Sequence, residues 1–169
     1  DSLNPYQRVE GETMAFSSGL KTQGNDQSGV YVNSIGNNDY IKLRSVDFTS
    51  VGAKSFSASV ATGGSGGSIE LRLGSQTGTL IGTLNVSNTG GATTWKTLST
   101  SVTNAKGVND LFLVFKGSGS DMFNLDHWKF EPVSPLRVSG KARDVKSDLV
   151  DIRAMDGTLL RSRVARTAA

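Results

Sequence analysis

Met122-Phe123-Asn124-Leu125-Asp126-His127-Trp128-Lys129-Phe130 is the stretch on which the reading of this 169-residue chain turns. In an extended strand Phe123 and Leu125 point to one face, and Asn124 and Asp126 to the other. Trp128 and Phe130 have the opposite parity, so the apolar phase slips by one residue. Such a slip predicts a β-bulge, a device that re-aims side chains near functional sites. Pro132 and Pro135 follow, and regular pairing is expected to stop there. The stretch therefore reads as the last strand of a β-sandwich, with Asn124 as a ligand-binding group and Asp126 as a cation ligand. An edge strand with two solvated polar residues satisfies the same pattern.

Working outward, the rest of the chain supports an all-β fold. Twenty glycines and short alternating apolar runs favour a sandwich or barrel, and the length suffices for a real core. The absence of cysteine excludes disulfides, thiolate metal sites and a Cys nucleophile. No apolar run approaches a membrane span. No signal segment is recognised, so secretion would rest on a leader already removed or on this being a piece of a longer protein. The net charge of +3 is unevenly spread: residues 133–169 carry eight Lys or Arg against four Asp, a net of +4, which leaves residues 1–132 at −1. Nucleic acid is thus not an expected partner of the main domain.

Tyr6–Glu12 reads as a first strand in which Glu10 and Glu12 share a face. Paired carboxylates of this kind are either solvated, or share a hard cation such as Ca²⁺, or act as an acid/base pair in glycoside hydrolysis. The polar loop from Lys21 to Gly29 offers further carbonyls to a cation. Gly29–Val32 is a short strand, and Asn33–Asp39 is a turn rich in residues that tolerate positive φ. Tyr40 opens the next strand beside that loop, either as a core cap or as a binding platform.

Ser55–Thr62 alternates with Phe56, Ala58 and Val60 inward, and Ile69, Leu71 and Leu73 do the same against Glu70 and Arg72. Gly63–Gly67 between them lacks the Lys and helix of a phosphate cradle and reads as a hairpin loop. Thr79–Val86 is another strand, and Trp95 follows a Gly-rich loop, as a core residue or a surface one. Leu111–Phe115 is apolar on both faces and belongs at the centre of a sheet. Beyond Pro135, Leu149–Met155 and Thr158–Val164 flank Asp156-Gly157, a hairpin signal. Residues 1–132 are thus expected to form one sandwich domain and residues 133–169 a small basic β unit.

Several motifs occur together and in order: Val9-Glu10-Gly11-Glu12, Asn38-Asp39-Tyr40, Val46-Asp47-Phe48, Gly67-Ser68-Ile69-Glu70-Leu71-Arg72-Leu73, Gly78-Thr79-Leu80-Ile81-Gly82-Thr83, Thr94-Trp95 and Phe123-Asn124-Leu125-Asp126. In this order they resemble family 6 carbohydrate-binding modules over about residues 6–131. The resemblance implies a jelly-roll β-sandwich that binds polysaccharide without cleaving it. It further implies that Tyr40 and Trp95 hold a sugar ring between them while Asn124 hydrogen-bonds its hydroxyls. A structural calcium ion is implied at Glu10, Glu12 and Asp126, with a backbone carbonyl near Gln27. The expected ligand is xylan or xylo-oligosaccharide, with β-glucan next. The expected setting is a secreted, monomeric module of a bacterial plant-cell-wall-degrading enzyme, linked to a glycoside hydrolase or esterase domain.

Two other classes compete. A glycosidase would draw on Glu10, Glu12, Glu70 and Asp126, and a Ser-His-Asp hydrolase would need His127, the only histidine, which reads instead as a surface or packing residue. A lectin-like adhesin, or a binder of anionic surfaces, would draw on the basic segment, although charges so diluted by aspartate usually mark a solvated face.

Overall fold

The computed structural model describes residues 1–25 and 29–134. Its elements are β1 (Val9–Glu10), β2 (Phe16–Ser18), β3 (Lys21–Asn25), β4 (Gly29–Asn33), β5 (Tyr40–Asp47), β6 (Ala53–Thr62), β7 (Gly67–Leu73), β8 (Thr79–Val86), β9 (Gly91–Ser101), β10 (Val108–Lys116) and β11 (Asn124–Pro132). They build two antiparallel sheets, one in the order β3-β4-β11-β6-β9 with β1 also on β11, the other in the order β2-β5-β10-β7-β8. The architecture is the jelly-roll β-sandwich expected from the sequence. Among the described residues no helix is long and apolar enough to cross a membrane. The expected C-terminal hairpin and the Gln27 carbonyl lie outside the described residues.

Alternation explains how the sheets stack. Phe56, Ala58 and Val60 of β6 and Ile69 and Leu71 of β7 are at most 1% exposed, whereas Ser55 and Ser57 of β6 face away from the core. Aromatic rings fill the centre: Phe130 packs at 5.0 Å on Phe48, 4.9 Å on Phe56 and 5.8 Å on Trp128, between ring centroids. Pairs tilted or edge-to-face at such spacings add to the burial of apolar area.

The parity slip in β11 is a bulge. Leu125 pairs with Val60 and His127 with Ser59, so Asp126 is the extra residue. The strand is not an edge but lies between β4 and β6. Three further expectations are corrected. The first strand is only Val9–Glu10, and Gly11-Glu12 turns away, because Gly11 N–H donates to the Asp126 carbonyl at 2.7 Å. A side chain at Gly11 would stand 2.9 Å from the Leu125 carbonyl oxygen, so only glycine allows this approach. Lys21–Asn25 is not loop but β3, paired along its length with β4. Gly63–Gly67 joins strands of different sheets and so is a crossover between layers, not a hairpin. The Asn33–Asp39 turn does use left-handed backbone, at Ser34 (φ 55°) and Asn38 (φ 72°).

Candidate functional site

Register brings three of the polar-face residues of the six-stranded sheet together. Asn124 pairs with Ala61, both on the outer face, since the adjoining pair Leu125 and Val60 is core. Trp95 precedes Lys96, the partner of Val60, and so shares that outer face by alternation. Tyr31 lies opposite in phase to Val32, which pairs with Leu125, and is itself only 5% exposed with the Trp95 indole against it. The strands that carry Asn124 and Ala61 lie between those of the two aromatics, whose rings meet with centroids 5.3 Å apart at 71°, edge to face.

Tyr31, not Tyr40, is therefore the aromatic partner of Trp95. Tyr40 belongs to the five-stranded sheet, where its ring packs on Phe16 at 6.1 Å and Phe112 at 5.7 Å. The sequence held a signal for Tyr31: a short strand with Val32 inward must send Tyr31 outward. That parity cannot say which sheet a strand joins. The rings also touch, whereas a sugar ring sandwiched between two parallel faces would need centroids about 7–8 Å apart, twice a carbon–carbon contact. The slot expected between two parallel rings is therefore closed at this pair.

Polar groups around the pair are held in place. Asn124 is 8% exposed and donates from Nδ2 to the Ala92 carbonyl at 2.8 Å, which leaves its second N–H and its carbonyl oxygen for a ligand. Beside it lies a cavity of 150 Å³ lined by Thr62, Gly63, Gly64, Asp121 and Phe123 among others. Its loops are pinned: Thr62 Oγ1 donates to the Met122 carbonyl at 2.9 Å, and Asn88 Nδ2 donates to the Gly63 carbonyl at 2.7 Å. An aromatic surface beside a buried amide and an open cavity suits a ring with one C–H face and equatorial hydroxyls.

The carboxylates form a second locus at β1 and the β11 bulge. Arg8 holds Glu10 in a fork, Nε to Oε2 at 2.6 Å and Nη2 to Oε1 at 3.0 Å. Its Nη2 lies 3.8 Å from Asp126 Oδ2, which also meets His127 Nδ1 at 3.1 Å. Glu12 Oε1 and Asp126 Oδ1 are buried without a hydrogen-bond partner. Burial raises the proton affinity of Glu12, and the charges of Glu10 and Asp126 raise it further, whereas Arg8 depresses that of Glu10. Among the described residues no three such groups close on a single point as a finished ligand set. Two orphaned buried carboxylate oxygens and a third carboxylate nearby nonetheless have the donor chemistry of a hard cation site.

Comparison with known proteins decides the family. The sequence profile of carbohydrate binding module family 6 matches residues 10–132. The chain belongs to that family. It is 47% identical over 137 residues to an arabinoxylan arabinofuranohydrolase of Paenibacillus polymyxa, covering 78% of this chain and 21% of that protein. The corresponding enzyme of Bacillus subtilis is 46% identical over 135 residues, covering 76% of this chain and 26% of that protein. The module thus spans about a fifth to a quarter of these relatives. Among solved structures, it is similar to a β-1,3-glucan binding family 6 module of Bacillus halodurans, with a TM-score of 0.74 and 39% identity over 78% of this chain and 99% of that one. A family 6 module of Clostridium cellulolyticum in complex with xylose gives a TM-score of 0.73 and 40% identity over 76% and 99%. The protein is accordingly a carbohydrate-binding module.

Proposed function

We propose that this module holds xylan or xylo-oligosaccharides, without cleaving them, on the surface made by Trp95, Tyr31 and Asn124. The observation that carries the reading is the Trp95–Tyr31 pair, on strands to either side of that of Asn124, with an open cavity beside the amide. Aromatic faces take the C–H side of a pyranose with little loss of rotamer entropy, and the amide fixes its orientation. The similarity to arabinoxylan-acting enzymes supports xylan over β-glucan, although the Bacillus halodurans relative keeps β-1,3-glucan as the second ligand to test. A site this small binds at about −4 to −7 kcal/mol, millimolar to ten micromolar. Its value lies in raising local substrate concentration for a linked catalytic domain of a secreted enzyme. Residues 133–169 are assigned no part in sugar binding.

Calcium belongs to the same proposal as a structural ion. Glu10, Glu12 and Asp126 would hold it, and its double charge would offset Glu12 and Asp126, which each bury an unpartnered oxygen, Glu10 being already paired with Arg8. Titration calorimetry with xylohexaose, cellohexaose and laminarihexaose tests the sugar reading. Heat with xylohexaose that disappears in Trp95→Ala is expected; no heat with any of the three, or unchanged binding in that variant, overturns it.

A further inference from the structure

The outer face of the six-stranded sheet continues past the aromatic pair. On β11, β6 and β9 the level of Asn124, Ala61 and Trp95 is followed by a row in which His127 pairs with Ser59 and Ser59 with Thr97. Two residues of strand advance about 7 Å, the scale of one sugar residue. This row floors a groove of 240 Å³ whose sides are Arg8, Ser57 and Lys129.

The lining is one-sided in its chemistry. It holds a guanidinium, an ammonium, an imidazole and three hydroxyls, and no carboxylate. The acids that pair with these cations, Glu10, Asp126 and Glu131, are not part of it. Arg8 spends Nε and Nη2 on Glu10 and keeps three N–H groups, and Lys129 spends one donor on Glu131 at 3.0 Å and keeps two. Lys129 and Glu131 are 46% and 47% exposed, so that pair is weak and exchanges readily for another carboxylate, while the firmer Arg8 fork on Glu10 stays in place and offers the remaining N–H groups of Arg8. An incoming carboxylate finds charge-assisted donors here that serve a neutral hydroxyl less well.

We propose that this groove takes the carboxylate of a uronic acid residue borne by a glycan whose neutral sugar sits on Trp95, an inference that rests on the polysaccharide-binding function proposed above. The test uses the full chain with three probes: xylotetraose, the same tetraose carrying one glucuronosyl branch, and free glucuronate. At about 20 mM salt the branched sugar should bind about fivefold more tightly than the unbranched one, and the gain should vanish at about 500 mM. Lys129→Gln and Ser57→Glu should each erase the gain and leave xylotetraose affinity unchanged. Free glucuronate should shift the backbone amide resonances of Ser59 and His127 but not that of Trp95. Equal affinity for the branched and unbranched sugars at low salt overturns the groove. If neither sugar binds, the polysaccharide reading fails, and the glucuronate shifts alone then decide for or against the groove.

Discussion

The two outer faces of this sandwich each carry a cluster of aromatic rings, and they differ in the polar groups set among those rings. On the six-stranded sheet Tyr31 and Trp95 stand on strands to either side of a buried amide, with a cavity and two loops pinned by hydrogen bonds. On the five-stranded sheet Phe16, Tyr40 and Phe112 lean on each other, with Lys42 Nζ 5.5 Å from the Phe112 centroid and 3.3 Å from Asp110. Aromatic side chains mark a surface; the polar group held among them marks what the surface is for.

The comparison breaks most sharply in the aromatic rings themselves. Trp95→Ala should weaken xylohexaose by about 30-fold or more, roughly 2 kcal/mol, while Tyr40→Ala leaves it within about twofold; calorimetry on both variants reads the difference. Equal losses would mean that the five-stranded face binds sugar too. Removing the proposed calcium with EDTA should lower the melting temperature by several degrees, since a cation at about a hundredfold excess over its Kd adds about 2.7 kcal/mol. Oligosaccharide affinity at room temperature should hardly change, because the carboxylates do not belong to the aromatic site; a parallel loss of binding would join the two loci.

Asn124→Ala should cost about tenfold in affinity and about 1 kcal/mol in stability, the latter from the lost bond to the Ala92 carbonyl, read by calorimetry and chemical denaturation. The smallest effect belongs to the other face. Asp110 accepts from the Ser45 N–H at 3.1 Å and pairs with Lys42, and these contacts hold its proton affinity below the ordinary carboxylate value. A depressed carboxylate contributes stability above its unfolded value, and that contribution fades as pH falls through the folded one. Asp110→Asn should therefore cost about 1 kcal/mol or less at pH 7 and nothing at about pH 2, with sugar binding unchanged.

Much of this is legible in the chain. The alternations of β6 and β7 name the core, and the phase slip between Leu125 and Trp128 marks the bulge at Asp126. The family resemblance is correct. Tyr40 is where it fails. Tyr31 and Tyr40 are both strand tyrosines near a turn, and nothing local tells them apart. Trp128 and Trp95 pose the same ambiguity, with one 0% exposed in the core and the other on the outer face.

What the residues alone determined was most of the strands, though not β2 or β3, together with the inward face of most of them and the place where one strand changes phase, because side-chain direction has period two along any extended segment. Only the tertiary structure decided which sheet each strand joins. That choice rests on pairing between distant segments: Leu125 with Val32 carries Tyr31 towards Trp95, and Val114 with Tyr40 carries that ring to the opposite face.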